Sequence, residues 1–242
     1  LELIVSKLLK VPHGFPTRGG GTSTGAWSSL NASASVGDSP EAVEANLGRL
    51  AEAAGVPRDH LFGVTQVHGT AVVEAPALET AQADAIWSGR AGDAVGVKTA
   101  DCVPLLLEDR VGRRVAAVHA GWRGTIDEIA RAAVEALQRA GSRPADLRAA
   151  IGPSIRSCCY QVGDELAGRF VAAFGDGVCV FRDARPHLDL QLAVRATLRR
   201  AGVPEAHIDD LGLCTACDAR FFSHRRDKGQ TGRHLSFVAC RF

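Results

Sequence analysis

The chain has no apolar run of the ~18–20 residues that a membrane helix requires. Its opening segment, Leu1-Glu2-Leu3-Ile4-Val5-Ser6-Lys7, has no basic start leading into a long apolar stretch and a small-residue cleavage site. A cytoplasmic protein without a membrane partner is therefore expected. Charge of either sign in excess is also missing: 28 basic and 27 acidic residues leave a net charge of +1. That balance excludes the broad basic face of a nucleic-acid binder, though a small basic site for an acidic ligand is still compatible with it. Methionine is absent altogether, and the chain begins with Leu, so its first residue carries no weight. Internal repeats, low-complexity tracts and long Pro/Gly/Ser linkers are missing too. One domain spanning residues 1–242 is expected, acting as a monomer or homodimer. An even set of cysteines is lacking as well. The seven present (Cys102, Cys158, Cys159, Cys179, Cys214, Cys217 and Cys240) read as reduced thiols.

What is present is the ordinary balance of a packed globular protein, 46% apolar and 23% charged. Ser39-Pro40-Glu41 opens a helix with a capping serine, proline at the first helical position and an acid in the first turn, and Gly55 closes it. Thr125 and Glu128 have the spacing of a capping box, with Ile126, Ile129, Ala133, Val134 and Leu137 on one face up to Gly141. Residues 163–174 and 189–201 give two further amphipathic helices. Short apolar runs at 95–98, 104–107 and 115–118 read as strands, the last two joined by a turn at 109–112, and 236–240 reads as a closing strand. Residues 61–67 and 71–74 flank His68-Gly69-Thr70 as a second strand–turn–strand unit. Hairpins among helices predict an α/β fold with mixed rather than purely parallel sheets.

Three residues sit at strand ends or turns, where a scaffold can aim a side chain: His68, Cys102 and His119. Two imidazoles and a thiolate suit zinc, and three protein ligands leave the fourth position open, as in catalytic sites. Their wide spacing is no local zinc motif, and taken singly His68 is a turn histidine and Cys102 a packed small residue. Cys102 with His119 is also a candidate nucleophile–base pair of a cysteine hydrolase or amidase. A non-catalytic protein with a structural zinc is a third reading. Cys214-Thr215-Ala216-Cys217 is half of a zinc ribbon, with no second pair at usable spacing and only His224 and His234 to complete it. The adjacent Cys158 and Cys159 read as packing residues. Arg18, Arg123 and Arg225 are the candidates for anion binding, Arg123 foremost because it precedes the helix expected at Thr125.

Several segments then occur together and in order. They include His13-Gly14-Phe15-Pro16-Thr17-Arg18-Gly19-Gly20, Ser29-Leu30-Asn31, Val36-Gly37-Asp38 and Gln66-Val67-His68-Gly69. Ala100-Asp101-Cys102-Val103-Pro104 and His119-Ala120-Gly121-Trp122-Arg123-Gly124 follow. Next come Ile151-Gly152-Pro153-Ser154-Ile155, Tyr160-Gln161-Val162-Gly163, Phe222-Ser223-His224-Arg225-Arg226 and Thr231-Gly232-Arg233. Across residues 11–241 this resembles the YfiH family, also labelled multicopper polyphenol oxidase or laccase-domain proteins. The resemblance implies mixed β-sheets packed between helices in α/β/β/α layers, like the cytotoxic necrotizing factor fold. It implies zinc held by His68, Cys102 and His119, which are then also the catalytic residues. It further implies a nucleoside and phosphate as small-molecule partners. The implied reactions are phosphorolysis of adenosine, inosine, guanosine and methylthioadenosine, and adenosine deamination. Editing of a peptidoglycan precursor is a further implied role. Asn31 and Asp101 become substrate-contact candidates by adjacency and resemblance. One departure is His224, where the family usually has Tyr.

The laccase label itself fits poorly. A multicopper oxidase uses many histidines, largely in His-x-His pairs. This chain has eight His, no such pair and no Met. Loose binding of Cu2+ in vitro is still expected, because copper outcompetes zinc at N/S sites.

Overall fold

A computed structural model of the protein describes residues 1–241. Its elements run β1 (Leu3–Ile4), β2 (His13–Pro16), α1 (Pro40–Ala54), β3 (Leu61–Phe62), β4 (Val72–Glu74), β5 (Ala85–Ser88), β6 (Ala94–Thr99), β7 (Val103–Asp109) and β8 (Arg114–Ala120). Then follow α2 (Trp122–Ile126), α3 (Ile129–Arg139), β9 (Leu147–Ile151), α4 (Asp164–Phe174), β10 (Cys179–Arg182), β11 (Arg185–Leu188), α5 (Leu190–Arg200), β12 (Ile208–Asp210) and β13 (His234–Ala239). None of these helices is long and apolar enough to cross a membrane.

The strands form a five-stranded sheet in the order β1-β2-β13-β6-β3, a six-stranded sheet in the order β12-β9-β7-β8-β5-β4, and the separate β10-β11 hairpin. Alternation along the strands explains how they stack. Leu105 and Leu107 of β7 face helices α3 and α5, joining Ile129, Val134, Val194 and Leu198. Leu106, between them, faces the other sheet and meets Phe15, Val95, Val97 and Val238. On the far side of that sheet, Leu235 and Phe237 of β13 pack on Val43, Leu47 and Leu50 of α1. The result is four layers, α/β/β/α, with both sheets mixed in direction.

Local signals placed most helices. The Ser39 hydroxyl accepts the Ala42 N–H, Pro40 occupies the first turn, and Gly55 closes α1 at φ 69°. The Asp189 carboxylate caps α5 by accepting from Leu192 N at 3.1 Å. Two expectations need correction. The helix expected from Thr125 starts instead at Trp122, directly after Gly121, and breaks at Glu128, whose φ is 61°. Glu128 is held there by Arg131 at 2.7 Å and Arg200 at 3.8 Å, so it caps nothing, and the Thr125 hydroxyl is buried without a partner. The strands flanking His68 also do not pair with each other: β3 joins β6 in one sheet and β4 joins β5 in the other. The His68 turn therefore passes between the two sheets, a placement that local pattern cannot show.

Candidate metal centre and substrate cavity

Cys102 immediately precedes β7 and His119 lies near the end of β8. The antiparallel register that sets Pro104 opposite His119 and Val103 opposite Ala120 brings these two ends together. His68 arrives from the inter-sheet turn with φ 61°, a left-handed conformation that a non-glycine residue adopts only when its surroundings hold it there. The ligand atoms of His68, Cys102 and His119 all lie within 4.8 Å of one another. The two imidazole rings meet edge to face, at 4.8 Å and 85°. Gly121 makes room for all three. A Cβ there would stand 2.9 Å from the His68 ring, 3.3 Å from Cys102 Sγ and 3.6 Å from the His119 ring.

One residue escaped the sequence reading. Asp84 is fully buried just before β5. Its Oδ1 accepts from His119 Nδ1 at 2.7 Å and from His68 N at 3.0 Å, and its Oδ2 accepts from Gly69 N at 2.7 Å and Val67 N at 3.2 Å. It thus orients one candidate ligand directly and shapes the turn that carries another. Its only sequence signal is an acid set among the apolar residues Ala83, Ala85 and Ile86. With His119 Nδ1 committed to Asp84, Nε2 is left free to meet a metal, the carboxylate–histidine arrangement of metal sites.

The charges agree with that use. Burial works against the Asp84 carboxylate, but His119 and the Gly69 and Val67 N–H groups outweigh it and hold its pKa below the ordinary value. Burial would push the Cys102 thiol up, yet His119 and His68 bring it down to about 6. For His119 burial acts downward, while Cys102 and Asp84 lift it to about 9. On the protein's own groups, Cys102 and His119 form a thiolate–imidazolium pair. A thiolate and two imidazoles within reach of one point are a donor set that fits zinc.

The cluster opens into a cavity of about 1090 Å³, lined by Val43 and Leu47 of α1 and by Lys98, Tyr160, Arg225 and Arg233. That exceeds the ~300–1,000 Å³ of typical ligand pockets, leaving room for two small reactants. Arg225 stacks its guanidinium 5.2 Å from the Tyr160 ring centre. Arg233 was missed as a cation of the site, although it ends a segment already marked as characteristic. It donates to the Thr231 and Gly232 carbonyls and forms no ion pair among the described residues. Burial and Cys102 push the Tyr160 phenol up to about 12, so it stays a hydroxyl donor.

Of the other expected substrate contacts, Asp101 and Arg225 line the cavity, as does His224. The Asp101 carboxylate is engaged by the Thr215 hydroxyl at 2.6 Å and the Arg225 N–H at 2.7 Å, so it organises the wall. Arg18, Asn31 and Arg123 are not among the lining residues. Arg18 donates to the Ser28 carbonyl and lies 4.8 Å over Phe222. Asn31 is buried and accepts the Arg233 N–H at 2.8 Å, so it positions that arginine's backbone. Arg123 is exposed inside α2 and stacks on Trp122 at 4.4 Å. His234 is buried against Phe222, whose N–H it accepts at 2.8 Å, and belongs to neither metal-competent cluster among the described residues.

Fold and site together define an α/β/β/α protein whose two-histidine, one-cysteine cluster opens on a ligand-sized cavity. The family described as "Multi-copper polyphenol oxidoreductase laccase" matches residues 12–241, and the chain belongs to this laccase-like YfiH family. It is 42% identical over 239 residues to a protein of Deinococcus radiodurans named purine nucleoside phosphorylase, covering 98% of this chain and 92% of that one. It is 36% identical to purine nucleoside phosphorylase YlmD of Geobacillus stearothermophilus, covering 94% and 89%. The crystal structure of YfiH from Bacillus licheniformis superposes with a TM-score of 0.89 at 32% identity, covering 95% of this chain and 92% of that one. YlmD superposes at 0.88 and 34% identity, with the same coverage.

Proposed function

We propose that this protein is a purine nucleoside phosphorylase whose site holds zinc on His68, Cys102 and His119. The observation that carries the proposal is the meeting of these three side chains at a cavity that also gathers Lys98, Arg225 and Arg233. The names of relatives that match nearly the whole chain support it. Zinc, when bound, would supply a Lewis acid with one open position.

In phosphorolysis a phosphate oxygen bonds to the ribose C1′ while the bond from C1′ to the purine nitrogen breaks and the purine takes up a proton. Arg233 and Arg225 are the groups that would hold the phosphate, since forked guanidinium donors match its oxygens. The apolar wall at Val43 and Leu47 offers a surface for the purine ring. Tyr160, kept as a hydroxyl, is a donor toward the base or sugar. Asp101 keeps Arg225 in place through its backbone N–H. Adenosine, inosine, guanosine and methylthioadenosine are the proposed substrates. Adenosine deamination at the same cluster is the finer part of the proposal, and the compartment is proposed to be the cytoplasm.

The thiolate–imidazolium pair favours a second reading, a cysteine hydrolase acting through Cys102 and His119. A multicopper oxidase draws no support from the ligand groups. Among the described residues the metal-competent clusters are this one, with two histidines, and one made only of cysteines. The deciding experiment is phosphorolysis of inosine and adenosine by the purified protein and by Cys102→Ala, with metal measured on both. Phosphate-dependent base release, lost in the variant together with the one zinc that this cluster holds, is the expected result. Phosphate-independent turnover with a covalent Cys102 adduct would replace the phosphorylase reading with the hydrolase.

A further inference from the structure

The fold solves a problem that the Cys214-x-x-Cys217 pair left open. Its partners are the adjacent Cys158 and Cys159, which reach it from a turn some 55–59 positions away in the chain. Cys217 Sγ lies 3.4 Å from Cys158 Sγ and 3.3 Å from Cys159 Sγ, and all four sulfurs lie within 4.8 Å of one another. A zinc bound at about 2.3 Å by four thiolates sets its sulfurs roughly 3.8 Å apart, inside that spread. All four are free cysteines. Packing does not explain them: Cys158 and Cys217 are exposed, and an exposed thiol gains little from facing another.

We propose that Cys158, Cys159, Cys214 and Cys217 form a second, closed zinc site, structural in role and separate from the His68–Cys102–His119 cluster. Four soft ligands with no open position are the donor set of structural zinc.

The loops are already in register for it. Ser154 and Cys214 form an isolated bridge between the segments that follow β9 and β12, with the Ser154 N–H donating to the Leu213 carbonyl at 3.2 Å and the Thr215 N–H to the Ser154 carbonyl at 3.1 Å. Beyond Cys214 the chain turns tightly, the Asp218 N–H closing on the Cys214 carbonyl at 3.0 Å. The first of these loops carries Tyr160 of the cavity wall and accepts Arg225 through the Gln161 carbonyl at 3.0 Å, so the zinc would brace that part of the wall.

The test is zinc content of the full chain purified under reducing conditions with zinc present, compared among wild type, Cys102→Ser, Cys217→Ser and the double variant. The expected values are about two, one, one and none per chain, one zinc for each ligand cluster. Cobalt replacing zinc in Cys102→Ser should show thiolate-to-metal absorption that is lost in the double variant. Serine at exposed Cys217 keeps the size of the side chain, and the zinc content of the wild type does not depend on any variant folding. About one zinc in the wild type, unchanged in Cys217→Ser, would overturn the proposal. So would a disulfide from Cys217 to Cys158 or Cys159 in the freshly purified protein. Because metal is the readout, failure here leaves the phosphorylase reading untouched.

Discussion

Replacing Asp84 by Asn keeps its shape and removes its charge, which isolates what the carboxylate does behind the metal cluster. Asp84 accepts four hydrogen bonds, two on each oxygen. An amide presents one acceptor atom and one NH2. With its oxygen kept toward His119 Nδ1 and His68 N, the NH2 faces the Gly69 and Val67 N–H groups, and two part-buried donors lose their partner. Water can reach these half-exposed groups, so the low end of about 1–3 kcal/mol per orphaned donor applies, roughly 2–3 kcal/mol in all. In a chain of this length each kcal/mol moves Tm by roughly 2–4 °C, so a drop on the order of 5–10 °C is expected in the metal-free protein. Separately, loss of the carboxylate behind a ligating histidine weakens metal binding by about 10- to 100-fold. The assays are thermal melting without metal and zinc competition against a chromogenic chelator. A variant with wild-type melting and wild-type zinc affinity would refute the role given to Asp84. A lowered Tm with unchanged affinity would confine that role to shaping the His68 turn.

Gly121→Ala puts a methyl group 2.9 Å from the His68 ring, so one ligand must move. Zinc binding and turnover should both fall at least tenfold while far-ultraviolet circular dichroism stays native; retained metal affinity would show that the cluster is looser than its geometry implies. Arg233→Gln removes one of the two cavity guanidinium groups, with Arg225, that form no ion pair among the described residues. It should weaken phosphate by about 1.5–3 kcal/mol, the worth of a charged hydrogen bond, seen as a rise in KM for phosphate roughly 10- to 100-fold with the nucleoside KM little changed. His234 supplies a pH dependence. Burial, with Arg18, Arg226 and Arg233 nearby, pushes its pKa down to about 3. The unfolded chain takes up this proton below about 6.5, while the folded chain refuses it. The unfolded state therefore binds more protons between these values, and stability falls as pH drops through that window by up to about 1.4 kcal/mol per unit. Urea midpoints of wild type and His234→Gln at pH 7.5 and pH 5 should diverge accordingly, and parallel slopes would contradict it.

Much of this protein is legible from sequence alone, because its signals are local. Ser39-Pro40 and Gly55 bound α1 by capping and backbone conformation, which no distant contact has to supply. The apolar runs of β7 and β8 and the turn between them announce a hairpin for the same reason. His68, Cys102 and His119 stand out by residue type at turns, and the resemblance gathers them into one ligand set. Tertiary structure alone decided what lies behind and around them. Asp84 is an ordinary acid until β5 pairs with β8 and sets its carboxylate under His119. Arg18 and Arg123 differ from Arg225 and Arg233 only in where the fold places them. Cys158 and Cys159 acquire partners only when the segments after β9 and β12 meet at the Ser154–Cys214 bridge. The division follows from range: capping and periodicity act within a few residues, whereas a site is assembled by strand register between segments far apart in the chain, and that register is set by burying both faces of two sheets at once.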